Sequence, residues 1–145
     1  MRIFLDANIL FSAAKSNGAV RQLLSDFHSN GSSLVADGYV ATEARRNIAA
    51  KATGDAADYL EALLSSIEVS SVHPGISMGS LADWLPDKDR PVLLAAISLK
   101  CDVLVTGDRT HFGFGYEKVF GGVVIYSPAQ LAQAIWGKAD GAGHP

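Results

Sequence analysis

Short apolar runs alternate along this chain with longer stretches of helical spacing, and that alternation leaves few architectures open. Ile3 to Leu5 is the first apolar run. "AVRQLLSDFHSNG" then sets Val20, Leu23, Leu24 and Phe27 at helical intervals and closes at Gly31. "SLVAD" (33–37) is strand-like, and "GYVATEARRNIAAKATG" returns to helical composition, entered at Asp37 or Gly38 and left at Gly54. Asp55 can cap a further helix whose apolar stripe is Tyr59, Leu60, Leu63, Leu64 and Ile67. "EVSSV" (68–72) reads as strand, residues 73–89 as a loop rich in Gly, Pro and Ser, and "RPVLLAAISLK" as a helix with Pro91 in its first turn. "CDVLVTGD" (101–108) is the clearest strand, "GGVVIYS" (121–127) the last, and "PAQLAQAIW" a closing helix. Strands of this kind, alternating with helices, pack as one parallel sheet with helices on both faces. A single domain is expected over 1–136, with 137–145 a frayed tail.

In such a sheet, ligands bind at the carboxyl ends of the strands. That rule bears on "LDANIL" (5–10), where an apolar run leads straight to Asp6. A carboxylate at the end of a buried strand is costly unless something pairs with it. Asp108, after "VLVTG", can lie on the same edge of the sheet. Glu43, on the helix after the second strand, can reach that edge, and Asp89 opens the helix that leads into the Asp108 strand. Carboxylates gathered in one cleft repel one another, and a hard divalent cation such as Mg²⁺ or Mn²⁺ removes the repulsion. The same ion can activate water for attack on phosphorus, so phosphodiester hydrolysis is the expected chemistry. Asp6 is expected to be the acid most crowded by the others, and Asp6→Asn to leave the metal-free protein as stable as the parent or more so.

Composition narrows the partners. The chain has 145 residues, 48% hydrophobic and 19% charged, which is globular and not disordered. A net charge of −3 and a pI near 5.7 give no global basic field, so nucleic acid would have to meet local basic patches. One cysteine, Cys101, excludes an intrachain disulfide and suits a reducing cytoplasm. Asp6 interrupts the N-terminal apolar run, which is too short for a signal peptide, and no run is long enough to span a bilayer. A cytoplasmic protein is expected.

"IFLDANILFSA", the Glu in "VADGYVATE", "DRPVLLAAI" and "CDVLVTGD", in this order and spacing, resemble PIN-domain proteins over Ile3 to about Pro128. The similarity is greatest to the small single-domain members, which include ribonuclease toxins of bacterial toxin–antitoxin pairs. The resemblance implies an α/β fold, a three-layer α/β/α sandwich around a mostly parallel sheet of about five strands. It implies a Mg²⁺- or Mn²⁺-dependent endoribonuclease, with RNA as substrate and an antitoxin and a second copy of the chain as partners. Carried over, the catalytic and metal-binding acids are Asp6, Glu43, Asp89 and Asp108, with Asn8 supporting the first and Thr106 beside the fourth. Family members often carry Asp-Pro before the third acid. Here the order is Pro86-Asp87, so Asp87 competes with Asp89, whose distance to the Pro-Val-Leu run favours it.

Plainer roles stand beside these. Asp6 could be an acceptor for loop amides, Asp89 a helix cap, Glu43 a solvated residue and Asp108 a turn former. Asp37, Asp83 and Asp102 read as caps or turn formers. Arg45, Arg46 and Lys51 fit a wet helix face or phosphate contacts equally, and Arg109 follows the fourth acid. The four histidines have no metal-ligand spacing, though His111 lies close to Asp108. Trp84 and Phe112 could stack on bases or pack internally. A non-catalytic RNA-binding or scaffold domain would be expected to lose acids that this chain keeps. A dehalogenase-type phosphatase wants Asp-x-Asp where this chain has Asp6-Ala7-Asn8.

Overall fold

A computed structural model describes residues 1–71 and 79–137. Residues 72–78, within the expected loop and the end of "EVSSV", and 138–145 of the expected tail lie outside the described residues. β1 (Arg2–Leu5), β2 (Ser33–Asp37), β3 (Glu68–Ser70), β4 (Val103–Val105), β5 (Val119–Phe120) and β6 (Val123–Tyr126) form one six-stranded sheet in the order β3-β2-β1-β4-β6-β5. All pairings are parallel except β5 with β6. The strands are short apolar runs because the central ones are covered on both faces: Ile3, Phe4, Leu5, Val35, Leu104 and Val105 are all buried.

The helices are α1 (Ala7–Lys15), α2 (Ala19–Ser29), α3 (Gly38–Lys51), α4 (Ala56–Ser66), α5 (Arg90–Ser98), the single turn α6 (Arg109–Phe112) and α7 (Pro128–Ala132). Entry to α3 is at Asp37, whose Oδ1 accepts from Val40 N at 3.0 Å. The stripe on α4 is consumed by the fold: Leu60 and Leu64 are buried, and Tyr59, Leu63 and Ile67 pack against the core.

The sheet has one strand more than the expected number. The sixth, β5, comes from a hairpin at "VFGGVV", where Gly121 and Gly122 both have positive φ (57° and 87°). Two central residues with φ > 0 make the tight turn whose twist matches the flanking strands, and glycine enters it without strain. "GGVVIYS" is thus turn then strand. α1 was also not foreseen. Its Asp6 cap and the buried Ile9, Leu10, Ala13 and Ala14 carry the helical signal.

Trp84 and Phe112 pack rather than present faces to solvent. Phe112 is fully buried, and the indole stacks on Phe120 at 5.0 Å and meets Phe112 edge-on at 6.3 Å. Gly115 lies beneath the indole, where a Cβ would stand 2.5 Å from Trp84 Cη2. Cys101, just before β4, is a buried free thiol, and burial pushes its pKa up to about 11.

Candidate active site

Strand order locates the site. From β1 the chain runs outward to β2 and β3 on one side, then returns to build β4 and β6 on the other, so the connections part company between β1 and β4. Loops leaving the carboxyl ends of two such strands diverge and open a crevice. Asp6 immediately follows β1, and its backbone N–H donates to Val105 O at the end of β4 (3.1 Å).

A narrow cleft of about 80 Å³ opens there, lined by Asp6, Asn8, Glu43, Asn47, Lys88, Asp89 and Asp108, with Ala7 and Val92. All four expected acids meet in it. Asp6 comes from the end of β1, Glu43 from the second turn of α3, Asp89 from the start of α5 and Asp108 from the loop after β4. Asp87 does not: its side chain is 94% exposed and pairs with Arg90 at 2.9 Å. The space has room for a cation with its waters. A larger cavity, about 210 Å³, lies between α1, α2 and α4, but Arg21, His28 and Tyr59 line it and no carboxylate does.

Asp6 is 6% exposed and fully engaged. Its Oδ1 accepts from Ala7 N at 2.7 Å, capping α1, and its Oδ2 accepts from Thr106 Oγ1 at 2.8 Å and Asn8 Nδ2 at 3.2 Å. Asn8 Oδ1 accepts from Gly107 N at 2.7 Å, and Thr106 Oγ1 also accepts from Asn8 Nδ2 and from Asp108 N, both at 3.2 Å. Thr106 and Asn8 thereby tie the β1 end to the β4 end. Desolvation raises the Asp6 pKa to about 6, against the hydrogen bonds from Thr106 and Ala7. Repulsion by Asp89 and Asp108 contributes least, so burial and not crowding sets the shift at Asp6. Lost hydration costs more there than neighbours repel.

Asp89 occupies the cap position of α5 without capping it. Its Oδ2 is buried and makes no hydrogen bond, and burial raises the carboxyl pKa, opposed by His111 and Lys88. Asp108 Oδ1 accepts from His111 N at 3.1 Å, and its Oδ2 lies 2.7 Å from His111 Nδ1. The same Nδ1 is 3.2 Å from Asp89 Oδ2. Asp89, Asp108 and His111 place one ligand atom each within 4.8 Å of one another. His111 therefore does stand at ligand spacing, created by the single turn of α6, which the sequence did not announce.

The basic residues fall differently from expectation. Arg45 is exposed and forks onto Glu61 through two bonds of 2.9 Å. Neither it nor the exposed Arg46 and Arg109 is among the residues lining the cleft, where the cation is Lys88. Asn47 was also missed, although it sits one turn after Glu43 on the same helix face.

The donor set fits a divalent cation. Four carboxylates converge, an imidazole nitrogen adjoins them, and one buried carboxylate oxygen makes no hydrogen bond.

In sequence the chain matches the PIN domain over residues 2–110. No curated protein matches it. Similar solved structures include VapBC2 from Rickettsia felis bound to a DNA fragment from their promoter, at TM-score 0.61, 15% identity, 88% of this chain and 98% of that one. VapBC-1 from nontypeable Haemophilus influenzae aligns at TM-score 0.59 and 16% identity, over 89% of this chain and 99% of that one. Mycobacterium tuberculosis VapC20, a Sarcin-Ricin loop cleaving toxin, aligns at 0.56 and 12%, over 81% and 98%. At such identities the likeness is one of fold.

Proposed function

Because the chain belongs to the PIN-domain family, we propose that it is a divalent-cation-dependent endoribonuclease, the toxin of a toxin–antitoxin pair. The observation that carries this reading is the convergence of Asp6, Glu43, Asp89 and Asp108 on one small cleft at the carboxyl edge of the sheet. These four would hold Mg²⁺ or Mn²⁺. The bound ion supplies positive charge that offsets the charge developing on phosphorus-bound and leaving oxygens.

The chain's own groups do the rest. Asn8 and Thr106 fix the Asp6 carboxylate, so that its position is set before any ligand arrives. Lys88 offers positive charge for a phosphodiester at the rim. The scissile phosphate would meet the acids at the cleft, with Lys88 beside it. Water adds to phosphorus in line as the bond to the 3′ oxygen breaks, leaving a 5′-phosphate and a 3′-hydroxyl. Asn8, in the position where a phosphatase of the dehalogenase type needs its second acid, serves Asp6 and Gly107 instead.

The partners we assign are an RNA substrate, a cognate antitoxin and a second copy of the chain. The antitoxin is supported by the fold likeness to the VapBC structures. Among the described residues no helix is long and apolar enough to cross a membrane.

The test is cleavage of a mixed RNA pool by purified protein in Mg²⁺ or Mn²⁺, with product ends identified. Cleavage abolished by EDTA and by Asp108→Asn is the expected result. Undiminished cleavage in excess EDTA overturns the reading.

A further inference from the structure

Asp89, Asp108 and His111 form a group that the four-acid site does not by itself require. Asp108 caps α6 and receives the His111 backbone N–H on Oδ1, which holds His111 one helical turn away with its ring against Oδ2. Nδ1 then faces two carboxylate oxygens, Asp108 Oδ2 at 2.7 Å and Asp89 Oδ2 at 3.2 Å. A ring nitrogen carries one proton. One proton cannot serve both oxygens: Asp108 Oδ2 is at hydrogen-bond distance, and Asp89 Oδ2 is left buried without a hydrogen bond. An unsatisfied buried carboxylate oxygen is costly, and natural structures keep few of them. A cation among the three atoms takes the place of the single proton and serves all of them. The side chains are 13%, 25% and 31% exposed for Asp89, Asp108 and His111, so the group is sheltered yet open on one edge.

Resting on the cation site proposed above, we propose that His111 is itself a ligand of that site through Nδ1, and that the site therefore selects Mn²⁺ over Mg²⁺. Mg²⁺ holds to oxygen donors and its own waters, whereas first-row transition-metal dications gain from an imidazole nitrogen. Asp6 adds to the bias, since both its oxygens already accept hydrogen bonds from the protein and the other residues carry more of the ligation.

A histidine that only orients Asp108 through a hydrogen bond is the competing role. The two separate without RNA. Metal-free full-length protein is loaded with Mn²⁺ and examined by pulsed electron paramagnetic resonance for nitrogen coupling. Mn²⁺ and Mg²⁺ affinities are then measured for the parent and for His111→Ala. Expected are a nitrogen coupling in the parent that His111→Ala removes, and an Mn²⁺ affinity lowered about tenfold or more while Mg²⁺ affinity falls far less. Absence of nitrogen coupling, or equal losses for both ions, overturns the assignment. Should His111→Ala fail to fold, a chain with His28, His73 and His144 replaced keeps His111 as its sole imidazole, and its nitrogen signal decides. Mn²⁺ bound without nitrogen coupling, with RNA still cleaved, sinks only the His111 assignment. A parent that binds neither ion sinks the nuclease reading as well.

Discussion

Around Asp6 every side-chain oxygen is hydrogen-bonded, while across the same cleft Asp89 keeps a buried oxygen that makes no hydrogen bond and faces His111 Nδ1 at 3.2 Å. The first half is assembled by the fold: β1 and β4 are neighbours, and the Thr106 hydroxyl and Asn8 amide knit their ends together. The second half hangs on helix starts, Asp89 before α5 and Asp108 before α6, with His111 a single turn further on. One half is complete in the protein alone, and the other leaves an oxygen open to the cation proposed above. Substitutions of the groups that hold Asp6 in the first half should therefore register mainly in folding, and those of the acids in the second mainly in activity.

The largest expected effect is on activity. Asp89→Asn removes a charge that nothing in the protein pairs by a hydrogen bond, so RNA cleavage should fall by about 10²–10³-fold or more. Stability in EDTA should move by no more than about 0.5 kcal/mol. Gel assays beside urea melts check both. A large loss of stability in EDTA would erase the distinction between the halves.

Next comes pH. Folded Asp6 titrates near 6 against an ordinary 3.8. A carboxyl raised in this way favours folding fully below about 3.8, and that contribution is lost as pH rises through about 6. Two pKa units correspond to about 3 kcal/mol. In EDTA, the parent should therefore lose stability relative to Asp6→Asn between pH 4 and pH 7, by up to about that amount. Parallel stability–pH curves for the two proteins would show that Asp6 is not desolvated.

Thr106→Val keeps the shape and deletes a hydroxyl that bonds Asp6, Asn8 and Asp108 N. The expected cost is about 2 kcal/mol in a denaturant melt, since the partners are left short. A neutral result would mean that Asn8 alone holds the Asp6 half together. Smallest should be Arg45→Ala. Its exposed pair with Glu61 contributes less than about 1 kcal/mol, and cleavage should stay at the parent rate. A clear drop in cleavage would extend the RNA path to that helix face.

The parts of this division that the sequence could carry are the ones written in short-range pattern. "SLVAD" is the strand 33–37 to the residue, and Asp6 at the end of an apolar run was enough to place one acid at a strand end. α1 escaped because "ANILFSAAK" follows Asp6 without a linker and is apolar on several sides, so no clean helical stripe sets it apart. His111 escaped for a different reason. Its distance to Asp89 depends on how α6 packs against the start of α5, a relation between segments 22 positions apart that no local spacing encodes. Arg45 was misjudged because charge alone does not tell a free guanidinium from one held by Glu61 on the next helix.

Cys101 gives the chain an internal clock. The thiol is the only one in the sequence, sits buried at the entrance to a central strand, and is held protonated well above neutrality. An alkylating reagent attacks thiolate, so it meets Cys101 only in molecules that have come apart around β4. The labelling rate of the unaltered protein thus counts openings of the sheet centre, and an occupied cation site at the far end of β4 should slow it.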